Sequence, residues 1–361
     1  MKVEFIELKR QHQLIKKEIN TAIQNVLDSG NFILGEEVKR FEEELAGYCG
    51  VKYAVGVASG SDALFLSLKA LDVKGEVITT PFSFFATAGA IFRAGARPVF
   101  VDIGEDYNIN PDKIERAITK KTEAIIPVHL YGMPCNMQKI MEIAKKHNLK
   151  VIEDAAQALG TEFNGKKMGS FGDTGCLSFF PTKNLGCFGD GGAILTNNDG
   201  LAEKIRTLRV HGAKPKYFHK IIGINSRLDA LQAAVLRVKL CFLEKWNKQR
   251  KEAAEFYNSS LRNLKNISCP VYVDGRTYNL YTIRTKNRDE LKEYLTKNEI
   301  GSEIYYPLPL HLQECYSFLG YKKGDFPEAE KACQEVLSIP LFPGITKEEQ
   351  EYVVSKIKEF V

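Results

Sequence analysis

The sequence predicts an α/β fold with a large unit built on a mostly parallel, seven-stranded sheet and a small C-terminal α/β unit. Between residues 53 and 196, seven short apolar runs alternate with helical stretches. Such alternation is typical of a parallel sheet with helices on both faces. Beyond residue 269 one further apolar run and two helical stretches follow a long helical segment. We therefore expect a large unit over residues 1–245 and a small one over residues 246–361.

Two helices are predicted before the sheet. Apolar residues recur at helical spacing from Gln13 to Leu27, and Ser29-Gly30 ends that pattern. A second helix is expected near Glu36–Tyr48.

The seven predicted strands are short and apolar. In an open sheet of this kind, ligands bind beyond the carboxyl ends of the strands, so polar residues at those ends are candidates for the site. The strands are expected at Tyr53–Val57, Glu76–Thr79, Pro98–Asp102, Ala124–Val128, Lys150–Asp154, Gly175–Phe179 and Ala193–Thr196.

The C-terminal third begins with a long helical stretch, from Leu231 to about Leu261. A strand at Leu280–Arg284, a helix at Arg288–Lys297, a proline-rich turn and a C-terminal helix are expected after it. These elements form the predicted small unit.

Composition excludes several functions. The 361 residues carry a net charge of +5 without any basic block, so nucleic acid is not an expected partner. No apolar run approaches the roughly 20 residues of a spanning helix, and the N-terminus does not resemble a signal peptide. We expect a cytoplasmic protein with no membrane partner. The eight cysteines and six histidines lack metal-ligand spacing, so neither a metal site nor a disulfide is expected.

One stretch, Gly160–Lys167, nearly fits a nucleotide-binding P-loop. Its last position is Lys167 where the motif needs a hydroxyl for magnesium. Asn164-Gly165 within it is a strong hairpin signal. We therefore expect a hairpin.

Ser59-Gly60-Ser61-Asp62 follows the first predicted strand and opens a helix. Ser and Asp at a helix start can act purely as caps. The same geometry binds phosphate, with Gly60 allowing close backbone approach and Ser61 adding a hydroxyl. Both interpretations are open for this motif alone.

Asp154 ends the fifth predicted strand, and Lys183 lies five residues after Ser178 at the end of the sixth. Either side chain alone could be an ordinary solvated charge. Together with the candidate phosphate site they match what a pyridoxal enzyme requires. It needs an anion site, a carboxylate facing the pyridine nitrogen, and an amine nucleophile.

Five stretches then show a resemblance that covers nearly the whole chain. They are Ala58–Leu64, Thr80–Phe84, Glu153–Gln157, Ser178–Gly192 and Gly223–Asp229. They resemble the DegT/DnrJ/EryC1/StrS family of nucleotide-sugar aminotransferases, which share the fold type I architecture of aspartate aminotransferase.

The resemblance implies pyridoxal 5'-phosphate as cofactor, with pyridoxamine 5'-phosphate as the intermediate form. Lys183 would hold the cofactor as a Schiff base and then move the proton. Asp154 would pair with the pyridinium nitrogen, Gln157 would contact the ring hydroxyl, and Phe84 would stack on the ring.

The resemblance also implies a composite phosphate site. Gly60, Ser61 and Ser178 would hold the phosphate, joined by Asn225 from a second subunit. The protein would therefore be a homodimer with shared active sites.

The implied reaction takes the amino group of L-glutamate to the C3 keto group of a nucleotide-linked sugar. UDP-2-acetamido-3-oxo-glucose or its glucuronate is favoured, for cell-surface polysaccharide or lipid A sugars, and a dTDP-3-keto-6-deoxyhexose is the alternative. Arg227 would lie near the sugar, where a guanidinium suits a carboxylate or pyrophosphate. Tyr305-Tyr306 stands where many C3 enzymes have His-Tyr, either contacting the sugar or bracing a turn.

Two rival functions share the fold. A pyridoxal sugar dehydratase would have histidine in place of Lys183, so the lysine argues against it. A non-catalytic regulatory homologue would not need the complete set of cofactor residues.

Overall fold

The computed structural model describes residues 1–361. It contains twelve α-helices and eleven β-strands, numbered in chain order. The helices are α1 Leu8–Leu14, α2 Lys16–Ser29, α3 Glu36–Cys49, α4 Gly60–Ala70, α5 Ala86–Arg93, α6 Met137–His147, α7 Asp199–Leu208, α8 Ala230–Leu240, α9 Leu243–Leu261, α10 Arg288–Lys297, α11 Pro327–Glu335 and α12 Lys347–Phe360. The strands are β1 Tyr53–Val57, β2 Glu76–Thr79, β3 Arg97–Phe100, β4 Thr122–Ile125, β5 Lys150–Asp154, β6 Glu162–Phe163, β7 Lys166–Lys167, β8 Thr174–Ser178, β9 Gly192–Thr196, β10 Tyr281–Arg284 and β11 Val336–Ile339.

Seven strands form the main sheet, in the order β1-β9-β8-β5-β4-β2-β3. Only β9 runs against its neighbours, pairing antiparallel with both β1 and β8. The remaining neighbouring strands in the sheet pair in parallel. The predicted mostly parallel, seven-stranded α/β sheet is therefore confirmed.

Helices cover both faces of this sheet, because successive strand side chains point to opposite sides. On β5, Val151 packs into a core shared with α3, α6 and α8. Its neighbour Ile152 packs into a second core shared with α4, α5 and α7. The carboxyl ends of the strands remain accessible between these two layers.

A third core lies around the two-stranded sheet of β10 and β11, packed against α9, α10 and α12. The N-terminal segment joins it, because the Val3 N–H donates to the Glu299 carbonyl (3.0 Å) and the Val3 carbonyl accepts from Gly301 (2.8 Å). The division predicted between residues 245 and 246 lies inside α9. That division stays a prediction.

Two of the expected helices have different bounds. The helix expected from Gln13 to Leu27 is two helices, α1 and α2, because Ile15 between them leaves helical geometry (φ −126°, ψ 16°). The stretch expected from Leu231 to Leu261 is likewise split into α8 and α9 by Cys241-Phe242. Apolar periodicity continues through both breaks, so the pattern could not reveal them.

The expected strands all exist, with bounds shifted by one to three residues where they differ. Missing from the predictions are α11 and β11, which follow each other without a turn residue. β11 exists because it pairs with β10, a contact between distant parts of the chain.

The stretch Gly160–Lys167 forms the β6–β7 hairpin, with positive φ at Asn164 (50°) and Gly165 (75°). This confirms the hairpin over the P-loop. None of the helices is long and apolar enough to cross a membrane. All eight cysteines are free thiols, and no group of three His, Cys, Asp or Glu side chains could hold a metal ion.

Candidate active site

A cavity of about 630 Å³ opens at the carboxyl ends of the strands of the main sheet. It lies between the sheet, the turn after β8 and the segment Ile304–Leu310. Nine of the eleven predicted site residues line it. They are Gly60, Ser61, Phe84, Asp154, Gln157, Ser178, Lys183, Tyr305 and Tyr306.

Asp154, the last residue of β5, is a buried carboxylate at the floor of the cavity. Its Oδ2 accepts a hydrogen bond from the Thr87 hydroxyl (2.8 Å), and its Oδ1 accepts one from the Ala156 N–H (3.2 Å). Burial raises the pKa of Asp154, and these two hydrogen bonds and the nearby Lys183 oppose the rise. No ion pair compensates this carboxylate within the chain, so a cationic ligand group would be stabilised beside it.

Lys183 lies in a turn after β8, where its own N–H donates to the Phe180 carbonyl (2.8 Å). Burial lowers the pKa of its amine to about 8, and the charge of Asp154 acts in the opposite direction. A desolvated lysine of this kind has a larger fraction of nucleophilic free amine at neutral pH than a surface lysine has.

The start of α4 forms an anion cradle. Ser59 caps the helix by accepting a hydrogen bond from the Asp62 N–H (3.1 Å), which leaves the N–H groups of Gly60 and Ser61 available. A Cβ added at Gly60 would lie 2.7 Å from the Cβ of Ser178. Glycine therefore lets the helix start approach the Ser178 hydroxyl closely, as a phosphate site requires.

Aromatic side chains form one side of the cavity. Gln157 is oriented at both ends, because its Oε1 accepts from the Tyr131 N–H (2.7 Å) and its Nε2 donates to the Tyr306 hydroxyl (3.2 Å). The rings of Phe84 and Tyr306 lie 6.2 Å apart, and Phe84 is 56% exposed. The Tyr131 hydroxyl donates to the Tyr305 carbonyl, which links the segment Ile304–Leu310 to the loop between β4 and α6.

Asn225 and Arg227 do not line the cavity of their own chain. Asn225 is exposed and pairs with Val210 at the base of a hairpin in which Ala213 pairs with His219. The hairpin carries the exposed Ile222, which is 95% accessible. The roles of Asn225 and Arg227 stay predictions.

The structure adds residues that the motifs did not reveal. Thr87 anchors Asp154 from the first turn of α5, and Ile6 and Asn279 also line the cavity. Thr87 lies three residues after the matched stretch Thr80–Phe84, which was the one available signal. Ile6 and Asn279 are distant in sequence and gave none.

The residues present fit pyridoxal phosphate on observations from this chain alone. Its pyridinium nitrogen matches the buried, uncompensated carboxylate of Asp154, and its phosphate matches the free amides at Gly60 and Ser61 beside Ser178. Its aldehyde matches the low-pKa amine of Lys183. The carboxylate of Asp154, the phosphate cradle and the amine of Lys183 all line the same cavity.

Comparison with known proteins gives the same answer. The model of the DegT/DnrJ/EryC1/StrS aminotransferase family matches residues 13–358. A protein from Geobacillus stearothermophilus named pleiotropic regulatory protein is 51% identical, covering 100% of this chain and 99% of its own. The dTDP-3-amino-3,4,6-trideoxy-α-D-glucose transaminase of Streptomyces venezuelae is 41% identical, with 99% and 96% covered. The UDP-N-acetyl-3-dehydro-α-D-glucosamine 3-aminotransferase of Acidithiobacillus ferrooxidans is 43% identical, with 99% and 97% covered.

The structure of DesV from S. venezuelae with a ketimine intermediate superposes with a TM-score of 0.97. It is 41% identical, and the match covers 99% of this chain and 98% of that one. The expected fold type I architecture is thereby confirmed. The chain belongs to the DegT/DnrJ/EryC1/StrS aminotransferase family and is a pyridoxal phosphate-dependent aminotransferase.

Proposed function

We propose that this aminotransferase transfers the amino group of L-glutamate to the C3 keto group of a nucleotide-linked sugar. The observation that carries the proposal is the low-pKa amine of Lys183 beside the buried carboxylate of Asp154 in one cavity. The names of two relatives, one making a 3-amino sugar and one acting on a 3-dehydro sugar, support the C3 position.

Pyridoxal phosphate supplies an aldehyde that accepts the amino group and a ring that takes up electron density. Asp154 would hold the proton of the ring nitrogen, and the Thr87 hydroxyl and the Ala156 N–H keep its carboxylate in place. Gln157 and Phe84 line the same cavity, where Gln157 would contact the ring hydroxyl and Phe84 would pack on the ring.

Lys183 has two tasks. Its amine would hold the cofactor covalently, with the aldehyde oxygen leaving as water, and once free it would move a proton to and from the reacting carbon. A pKa of about 8 suits a group that must both accept and release a proton near neutral pH.

Gly60, Ser61 and Ser178 would hold the phosphate, and Asn225 of a second copy would complete the site. The exposure of Asn225 and of Tyr217, Phe218 and Ile222 in the hairpin beside it supports a homodimer with shared sites, because exposed apolar side chains favour burial against another chain. Arg227 of the same segment faces the diphosphate or a sugar carboxylate.

The favoured acceptor is a UDP-linked 2-acetamido-3-oxo sugar or its glucuronate, supported by the 43% identical UDP-sugar aminotransferase. A dTDP-linked 3-keto-6-deoxyhexose is the second candidate, supported by the S. venezuelae relative. Tyr305 and Tyr306 line the cavity, where they would contact the sugar. The free thiols are compatible with a reducing, cytoplasmic setting.

A panel of acceptors tests the proposal. The pyridoxamine form of the enzyme is mixed with UDP- and dTDP-linked 3-keto and 4-keto sugars, and the absorbance band of the pyridoxal form is followed. A 3-keto sugar restores the band fastest. A preference for a 4-keto sugar contradicts the C3 assignment and leaves the aminotransferase intact.

A second experiment separates the enzyme from a regulatory homologue, a role suggested by the name of the G. stearothermophilus relative. Borohydride reduction of the loaded protein, followed by peptide mass spectrometry, places a phosphopyridoxyl group on Lys183. The variant Lys183→Ala has neither label nor transamination. Full turnover by that variant contradicts the proposed role of Lys183.

A further inference from the structure

The turn that carries Lys183 has no regular secondary structure. It begins after Phe179, whose carbonyl accepts from the Cys187 N–H (2.8 Å), and it closes tightly on itself. A Cβ at Gly186 would lie 2.3 Å from the Pro181 carbonyl oxygen, so this position requires glycine. Such a turn needs contacts from outside to hold one conformation.

Asn184, the residue after Lys183, supplies such contacts through a chain of three side-chain amides. The Asn279 Nδ2 donates to the Asn184 Oδ1 (2.8 Å), and the Asn184 Nδ2 donates to the Asn247 Oδ1 (2.8 Å). The Asn247 Nδ2 then donates to the Leu159 carbonyl (3.3 Å). All three asparagines are buried, with 3 to 7% of their surface exposed.

The chain connects parts of the fold that are far apart in sequence. Asn279 lies just before β10 and lines the cavity, and its own N–H donates to the Tyr131 carbonyl (3.1 Å). Asn247 lies in α9, and a Cβ at Gly160 would come within 2.5 Å of its Nδ2. The backbone at Gly160 thus packs closely on the Asn247 amide, which has little room for another arrangement.

A buried lysine holds the other end of the turn. Lys239 of α8 is 4% exposed and donates to the Gly186 carbonyl. The turn is therefore fixed at Asn184 on one side and at Gly186 on the other, with Lys183 directly before the first of these anchors.

We propose that Asn184 is a positioning residue that holds the amine of Lys183 in its reactive place through the amide chain to Asn247 and Asn279. The inference rests on the proposed role of Lys183. A buried amide that loses its partner keeps the full desolvation penalty, so the chain has a strong preference for the complete arrangement. Reacting groups must be held to within about half an ångström, which a free turn does not achieve.

The test compares Asn184→Ala, Asn247→Ala and the double variant. We expect Asn184→Ala to lower kcat for the glutamate half-reaction by about tenfold or more, because a small misplacement of the amine slows proton transfer. The KM for glutamate changes by less than about twofold, because Asn184 does not line the cavity. The double variant is no slower than Asn184→Ala alone, because both changes break the same chain.

A readout independent of activity follows the amine itself. In the apoenzyme, acylation of Lys183 by a small reagent is measured against pH by mass spectrometry, and the midpoint moves from about 8 toward the ordinary lysine value in Asn184→Ala. Asn258→Ala is the control. Asn258 lies on α9, the helix that carries Asn247, and its side chain accepts a hydrogen bond from the Tyr281 hydroxyl (2.8 Å) but is not part of the amide chain. It lowers the melting temperature without moving the midpoint or kcat.

The outcomes separate this inference from the proposed function. An unchanged midpoint and unchanged kcat in Asn184→Ala overturn the positioning role. If Asn184→Ala does not fold, Asn247→Ala tests the same link from its far side with the same two readouts. Absence of the borohydride label on Lys183 in the wild-type protein overturns the proposed function instead.

Discussion

The hydroxyl of Thr87 donates a hydrogen bond to the carboxylate of Asp154 over 2.8 Å, and both side chains are buried. The same hydroxyl lies 3.0 Å from that of Ser83. Thr87 belongs to α5 and Asp154 ends β5, so the bond links a helix start to the central strand. It keeps the carboxylate oriented toward the cavity and opposes the rise in its pKa caused by burial.

Replacing Thr87 by Val keeps the shape and removes the donor. A hydrogen bond to a charged group contributes about 1.5–3 kcal/mol, so we expect about a tenfold or larger loss of affinity for pyridoxal phosphate. Titrating the apoenzyme with pyridoxal phosphate and following protein fluorescence measures this affinity. Thr87→Ser retains the hydroxyl and stays within about threefold of wild type. Equal affinity in the Val variant contradicts the role of this bond.

The free amine of Lys183 sets the pH dependence of cofactor attachment. Its pKa of about 8 means that the reactive, uncharged fraction grows as pH rises through that value. The rate at which the apoenzyme takes up pyridoxal phosphate therefore rises with a midpoint near 8. In Asp154→Asn the midpoint falls, because the charge that raises the pKa of Lys183 is gone. Stopped-flow absorbance across pH 6–10 measures both; a midpoint above wild type in Asp154→Asn contradicts the coupling.

Gly60 and Gly47 give opposite predictions for the same change. Gly60→Ala places a Cβ 2.7 Å from that of Ser178, so it lowers the free energy of unfolding by about 1–3 kcal/mol and weakens cofactor binding. Gly47→Ala meets nothing within 4 Å inside α3, so it raises the free energy of unfolding by about 0.5–1 kcal/mol. Urea denaturation of the apoenzyme measures both. A neutral Gly60→Ala shows that the close approach is not required.

Glu42 and Arg209 form a buried ion pair beside β1. Glu42 also accepts from the Gly56 N–H (2.8 Å), and Arg209 donates to the Gly56 carbonyl (2.7 Å). Glu42→Ala leaves a buried cation uncompensated, and we expect a loss of about 3–5 kcal/mol in unfolding free energy. Glu252→Ala removes an exposed ion pair with Lys248 (3.8 Å), and we expect it to change the free energy of unfolding by less than about 1 kcal/mol. Urea denaturation measures both variants. Similar losses of unfolding free energy in the two would contradict the stabilising role of the buried pair.

Shared active sites are tested by subunit complementation. Lys183→Ala inactivates one site, and Asn225→Asp places a negative charge against the phosphate supplied by the other chain. If Asn225 acts across the interface, mixing the two inactive proteins after mild unfolding restores about a quarter of wild-type activity. Half of the randomly paired dimers are then mixed, and each has one intact site. No recovery on mixing, with dimers confirmed by light scattering, places Asn225 in its own chain's site or in none.

Local pattern determined much of this protein. Alternating apolar runs and helical stretches were sufficient for the seven-stranded sheet, because side-chain periodicity reports directly on which face is buried. Asp154 and Ser178 were found because strand ends can be read from the same pattern, and the hairpin at Asn164-Gly165 because positive φ has a residue signature.

Only the tertiary structure decided what surrounds these residues. The hydrogen bond from Thr87, the amide chain through Asn184, Asn247 and Asn279, and the pairing of β11 with β10 join segments up to about a hundred residues apart. No local period reports such contacts, because they arise when separate elements pack and buried polar groups must find partners. The sequence by itself singled out the groups that we propose carry the chemistry, and the packing decided how those groups are held and how far burial lowers the pKa of Lys183.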